Sequence, residues 1–356
     1  MSRRNAPHAV TERCEAILAA APVGPGDGEV IGHSREGRAI CAFRFGGGPI
    51  RVSLLAGCHA DEPVGPKLLR HFCGYLSSLP KDDALVERYE WWIVPHINPD
   101  GECRNQVWYQ PDDTEYDLVK YLSGVVRELP GDDIEFGFPR REDDVDVRPE
   151  NRAAYDWWRG ANGQFDLHIS LHGTGFAAGP WFLIEEAWSD RCDLLKKLCT
   201  ARVEELGYTL HDVERLGEKG FFRLGRGFCT RPDSRYMRQY FVDRGDESTA
   251  QLFRPSSMEI MRSLGGDPLT LVSEMPLFIT PGVGETLGPP DPVAQEFKAA
   301  IGRWKVGLLQ DMPGDSVARE AAGLGLRAMP VPDQMMLQLT LMGAGILQVE
   351  LARTNA

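Results

Sequence analysis

Eight histidines stand at positions 8, 33, 59, 71, 96, 168, 172 and 211, so any imidazole-based metal site must be drawn from them. An H-x-x-E spacing, which can aim an imidazole and a carboxylate at one point, occurs three times: His33/Glu36, His59/Glu62 and His211/Glu214. Chance alone gives roughly 0.6 such matches, so the surroundings must choose between them. Only His59/Glu62 follows an apolar run that reads as a buried strand, Ile50–Ala56, and precedes a helix opened by Pro63. That setting predicts the carboxyl edge of a sheet, where open α/β folds bind ligands. Nitrogen and oxygen donors without a thiolate suit a catalytic zinc.

A third ligand should come from a neighbouring strand end. The segment Phe165-Asp-Leu-His-Ile-Ser-Leu-His-Gly-Thr-Gly offers His168 and His172 on one strand face. His172 is favoured because Gly173 and Gly175 let the backbone turn away from it, whereas His168 lies deeper in the apolar run and suits a core histidine. Three protein ligands and one zinc per chain leave a position for a water molecule, whose pKa the metal lowers toward about 7. Glu274, at the end of the apolar run Leu269–Ser273 and ahead of Met275-Pro276, is the natural base. A lone glutamate at a strand end is more often simply solvated; the other three residues give this one its role.

The elements that must position these side chains follow from periodicity. Short apolar runs at Ile50–Ala56, Trp91–Val94, Phe165–Leu171, Trp181–Ile184 and Leu269–Ser273 read as strands buried on both faces. Between the first two, Val64, Leu68, Leu69, Phe72 and Tyr75 recur at helical spacing and Pro80 stops the helix. Strand, helix, strand implies a crossover, so the expected fold is α/β, with a mixed, mostly parallel sheet flanked by helices. Residues 10–22 read as an N-terminal helix, and Phe297–Leu309 and Met335–Leu351 as C-terminal amphipathic helices. The acidic stretch Asp112 to Arg148 is too long for an ordinary connection and is expected to fold over the sheet edge as a functional loop. The division expected is an N-terminal helix and linker over 1–28, a catalytic domain over 29–285, and a helical extension over 286–356 packed on it.

Composition bounds the alternatives. With 42% apolar and 26% charged residues among 356, the chain is ordinary globular material. Its formal charge of −13 disfavours nucleic acid and anionic lipid as partners. The eight cysteines form no C-x-x-C pair, which argues against a disulfide framework and a thiolate zinc site. The basic start leads to no apolar run, and no window of about 18 apolar residues is expected to span a membrane, so the expectation is a cytoplasmic, non-membrane protein, its oligomeric state open.

Five ordered blocks then carry a resemblance. They are Ile31-Gly-His-Ser-Arg-Glu-Gly-Arg-Ala-Ile40, Ala56-Gly-Cys-His-Ala-Asp-Glu-Pro63, Asn98-Pro-Asp-Gly101, Ile169-Ser-Leu-His-Gly173 and Ser273-Glu-Met-Pro276. In these the chain resembles the zinc carboxypeptidases, the carboxypeptidase A-like metallopeptidases. The resemblance implies His59, Glu62 and His172 as zinc ligands and Glu274 as general base and acid in amide hydrolysis. It assigns no metal to His33, and His96, just before the Asn-Pro-Asp-Gly turn, is expected to be structural. The family also polarises the scissile carbonyl with an arginine after that turn, and Arg104 is the nearest candidate.

Two departures bear on specificity. Members that trim a C-terminal residue grip its carboxylate with an Asn-Arg pair in a segment like G-x-D-x-N-R-x-F-P, and here the comparable segment is Gly131-Asp-Asp-Ile-Glu-Phe-Gly-Phe-Pro139, with Glu135-Phe136 in that slot. An anion about 4 Å from a substrate carboxylate costs on the order of 1 to 4 kcal/mol, so Glu135 is expected to repel a free C-terminus. The nearby pair Asn151-Arg152 sits at a helix start and is favoured as structural, with Arg152 the alternative gripping group. Tyr236, Tyr240 and Phe253 are equal candidates for the family's pocket tyrosine. Two rival functions follow: a deacylase or amidohydrolase of a small acylated amine or modified amino acid, for which Glu135 would suit an ammonium, and a non-catalytic binding protein.

Overall fold

A computed structural model describes residues 10–355; the basic start, Met1 to His8, lies outside them. Among the described residues, ten strands form one sheet: β1 (Glu29–His33), β2 (Ala39–Gly46), β3 (Ile50–Ala56), β4 (Tyr89–Val94), β5 (Leu167–Ala177), β6 (Trp181–Ile184), β7 (Arg223–Gly225), β8 (Phe228–Thr230), β9 (Leu269–Ile279) and β10 (Arg327–Ala328). Across the sheet they run β1-β2-β4-β3-β5-β9-β6-β8-β7, with β10 beside the end of β9. The centre, β4-β3-β5-β9, is parallel. Antiparallel neighbours β2 and β6 close its two sides, so the mixed sheet is parallel where the site lies and antiparallel around it.

Period-two alternation divides the side chains between two faces. Val52 and Leu54 of β3 and Leu167, Ile169 and Leu171 of β5 enter the larger core, which the helices Val64–Ser78, Asp193–Glu205 and Val331–Asn355 cover. Leu55, Trp92 and Val94 face the other way, toward the helices Pro149–Arg159 and Ser257–Ser263. His168, Ser170 and His172 line this second face, because they alternate with the leucines and isoleucine of the first.

The expected strands at 50–56 and 181–184 have those bounds, and the expected helices appear as Cys14–Ala19, Val64–Ser78, Pro292–Leu309 and Val331–Asn355. The last is long and apolar enough by length and composition to cross a membrane, which corrects the expectation that no segment is; its residues are mostly buried against the sheet, as in a core helix. It also reaches the site strands: the Gln338 amide donates to the His172 carbonyl at 3.2 Å.

Two strand ends differ from expectation. Gly173, Gly175 and Pro276 read as terminators, yet β5 and β9 pair straight through them, with Gly173 opposite Met275 and Thr174 opposite Pro276. Pro276 stands beyond the β6 pairing that ends at Glu274 and before the β10 pairing at Phe278, in an edge-like stretch where a strand tolerates proline. The sheet edge nevertheless falls where the site needs it. β3 stops at Ala56 opposite Leu171, so His172 is the first residue of β5 past the end of β3, and Glu274 is its partner in register on β9.

Candidate active site

At the end of β3 the chain turns through Gly57, whose φ of +76° suits glycine, and a Cβ there would lie 2.3 Å from the His96 ring. This turn delivers His59 and Glu62 to the edge beside His172. His59 Nδ1 lies 2.7 Å from Glu62 Oε1, His172 Nδ1 lies 2.9 Å from Glu62 Oε2, and the two ring nitrogens are 3.1 Å apart. One donor atom from each of the three residues falls within 4.8 Å of the others.

These donors fit a divalent cation. Two imidazole nitrogens at 3.1 Å present facing lone pairs unless a positive charge, as proton or metal, stands between them. Glu62 Oε2 is buried and makes no hydrogen bond in spite of its closeness to His172, the mark of an atom aimed at something other than a proton. Electrostatics agree. Burial and Arg127 oppose a charged His59, but Glu62 and Asp133 outweigh them and lift its pKa to about 10. Burial likewise opposes charge on His172, and Glu62 above all reverses it, holding the pKa well above the ordinary value. Two histidines and one glutamate are the donor set of a catalytic zinc.

Glu274 projects from β9 beside them, half-buried, and its carboxyl makes no hydrogen bond or ion pair with any described residue. Burial, reinforced by the charge of Glu62, raises its pKa to about 8, against the pull of His172, His59 and Arg127. A cation held by Glu62 would oppose that rise.

The arginine near this centre is Arg127, which the sequence reading missed. Its Nη1 lies 3.1 Å from Asp61 Oδ1 and 3.2 Å from Glu62 Oε1, with 45% of the side chain exposed. Arg104, chosen for proximity to the turn, is not there: it pairs at 2.7 Å with Glu36 on the surface. The reason lies in how the turn works. Asn98 caps the helix Pro99–Asn105 by accepting from the Gly101 N–H at 3.0 Å, which sends Arg104 outward in the last turn. The Asn98 amide then donates to Glu128 Oε1 at 2.6 Å, and Glu128 Oε2 accepts from the Ala60 N–H at 3.1 Å. One carboxylate thus ties the turn to the ligand loop and sets Arg127, its chain neighbour, beside Glu62. The leading block serves the same frame, since the Ser34 hydroxyl and Arg38 both donate to Asp100.

His168 sits inside the second face, bonded to the hydroxyls of Ser53 and Ser257 at 3.0 Å each, apart from the convergent donors. Arg152 is also a correction as a gripping group. It donates to the backbone carbonyls of Glu142 and Asp144 and covers the Tyr155 ring, while its neighbour Asn151 turns inward to donate to the Ile134 carbonyl at 2.8 Å. Glu135 is no free anion either. Its Oε1 accepts from buried Arg231 at 2.9 Å and its Oε2 lies 3.4 Å from His172 Nε2, so the expected repulsion of a substrate carboxylate loses its basis. Arg231 stands 96 positions later, out of reach of any local pattern. Of the three pocket candidates, Phe253 packs on Phe136, whereas Tyr236 pairs with Phe222 and Tyr240 lies under Arg244.

Comparison with known proteins matches residues 28–215, a little over half of the chain, to the family model described as zinc carboxypeptidase. Carboxypeptidase M of Mus musculus is 31% identical over 161 residues, 42% of this chain and 34% of that one. An inactive metallocarboxypeptidase of Talaromyces marneffei is 32% identical over 84 residues, 20% of this chain and 14% of its own. The chain spans about a third or less of these relatives' lengths. Among solved structures, a metallo-carboxypeptidase from Burkholderia cenocepacia is 15% identical, covering 98% of this chain and 68% of that one at a TM-score of 0.45.

Proposed function

The chain belongs to the zinc carboxypeptidase family, and from that premise we propose that it hydrolyses a peptide or amide bond at His59, Glu62 and His172, with one zinc per chain. The observation that carries this reading is the convergence of those three donors beside a carboxyl, Glu274, that no other group engages. A zinc bound there supplies an acidified water and a Lewis acid for the scissile carbonyl. The chain's own residues do the rest. Glu274 takes the proton from the attacking water and returns it to the leaving nitrogen, a task suited to a carboxyl that no fixed partner holds in one protonation state. Arg127, half exposed and paired only with acids, swings from Asp61 to donate to the carbonyl oxygen as charge builds on it.

Substrate recognition departs from gripping a terminal carboxylate by an Asn-Arg pair, because Glu135 and Phe136 hold that slot. Phe136 is packed on Phe253, and Glu135 is engaged by Arg231. The substrate is a peptide or small amide whose leaving portion needs no anion grip at this position.

Glu274→Gln tests the reading. It should keep the zinc and the fold and lower turnover about 100-fold to 10,000-fold on peptide and acylated-amine substrates. Near-normal turnover in that variant, or a wild-type chain without zinc, would refute it.

A further inference from the structure

We propose that Glu135, backed by Arg231, is a positioning residue for the ligand His172: it selects the imidazole tautomer whose bare nitrogen faces the metal. The inference rests on the functional reading above. His172 presents Nδ1 to Glu62 and His59, so Nδ1 must carry the lone pair and Nε2 the proton. Around Nε2 stand Ser170 Oγ, its hydrogen-bond partner at 2.8 Å, Cys58 within the same buried cluster, and Glu135 Oε2, which at 3.4 Å lies close without a hydrogen bond. A hydroxyl both donates and accepts, so Ser170 is indifferent to the tautomer. An ionised carboxylate only accepts. The negative charge of Glu135 beside Nε2 favours the proton on that nitrogen and so supplies the preference that Ser170 lacks, and such carboxylates fix the tautomer of metal-bound histidines.

Three further observations support this. Arg231, whose side chain is 1% exposed, bridges Glu135 Oε1 and the Ser257 hydroxyl, giving the carboxylate a counter-ion and a fixed place. That guanidinium also speaks against a second cation at the buried cluster of Cys58, Glu135 and His172, whose donor atoms lie within 4.8 Å of one another. The other histidine has the same arrangement, with His59 Nε2 at 3.5 Å from Asp133 Oδ1. Asp133 and Glu135 are two apart on one segment, with fully buried Ile134 between them and its carbonyl held by Asn151. One short stretch thus backs both histidines. The slot that resembles a substrate grip has become part of the metal's support, so its substitution should be felt in metal binding rather than in substrate choice.

The test compares zinc affinity by chelator competition, the visible spectrum of the cobalt-substituted protein, and KM on a neutral amide and a free-carboxylate peptide. Glu135→Gln is close in shape, but its amide presents either a donor or an acceptor to Nε2. It should weaken zinc binding about 10-fold to 100-fold and shift the cobalt spectrum, with KM for both substrates within about twofold of wild type. Ser170→Ala leaves the carboxylate in place and should lose less zinc affinity than Glu135→Gln. Unchanged zinc affinity and spectrum in Glu135→Gln overturn the proposal, as does a KM change confined to the carboxylate substrate. A wild-type chain that binds no zinc overturns the functional reading itself, which the first measurement shows separately.

Discussion

Replacing Arg127 by methionine should separate the catalytic arginine from the surface one. Methionine keeps the length of the stem and removes the charge and every donor. Arg127 Nη1 lies 3.2 Å from Glu62 Oε1 and 3.1 Å from Asp61 Oδ1, so it stands one side chain from the metal donors. Loss of one donor to a developing oxyanion lowers kcat about 100-fold to 1,000-fold, or about 2.7 to 4 kcal/mol. Stability should fall as well, because the variant leaves the buried Asp61 carboxyl without its partner, so the folded fraction is measured on the same samples. Arg104→Met removes only an exposed partner of Glu36 and should leave kcat within about twofold. The assay is steady-state hydrolysis of a neutral amide, with zinc content measured on the same samples. Arg127→Met should retain zinc, lose turnover and keep KM within a few-fold. Full turnover in Arg127→Met, or a large loss in Arg104→Met, would refute the assignment; loss of zinc in Arg127→Met would make the residue a support for Glu62 instead.

The remaining expectations are brief. His59→Ala, Glu62→Ala and His172→Ala should each empty the zinc site by elemental analysis while His168→Ala keeps it, and the reverse for the two strand histidines would overturn the ligand choice. Acid stability should depend on His96, whose pKa burial pushes down to about 4 against the pull of Glu102. The unfolded chain protonates it near 6.5, so its contribution is complete above that pH and falls away toward pH 4, by about 3 kcal/mol in all. Urea unfolding between pH 4 and 7 should show a shallower pH dependence in His96→Gln, and identical slopes would disprove the assignment.

What could be read from the chain alone follows the range of the forces involved. His59 and Glu62 were legible because an apolar strand, a tight turn and Pro63 are all local. In the sequence the glycines after His172 set it apart from His168, but the structural distinction is that β3 ends opposite Leu171. The glycines and Pro276 resemble strand ends but are not, because pairing between β5 and β9 outweighs local breakers, and no single segment records its neighbour. Arg127 escaped notice for a related reason: its place is set by Glu128 meeting Asn98, 30 positions away. Glu135 was visible, its counter-ion was not, and that changed its meaning from a repelling anion to half of a buried pair.

The charge arrangement around the centre narrows the roles further. A buried carboxylate is costly unless paired, and the acids here find partners one by one: Asp61 with Arg127, Glu135 with Arg231, Asp133 beside His59, Glu128 with the Asn98 amide and the Ala60 N–H. Each is thereby fixed in place. Glu62 is shared between two histidines and is held well below the usual carboxylate range by their charge, in spite of its burial. The Glu274 carboxyl alone in this set makes no hydrogen bond or ion pair with the described residues; burial raises its pKa, as it raises that of Asp61, but Asp61 is held by Arg127. A group that must accept a proton and then surrender it needs this freedom, since every fixed partner would bias it toward one state. The paired acids build and hold the centre, and the unpaired one is left to carry the proton.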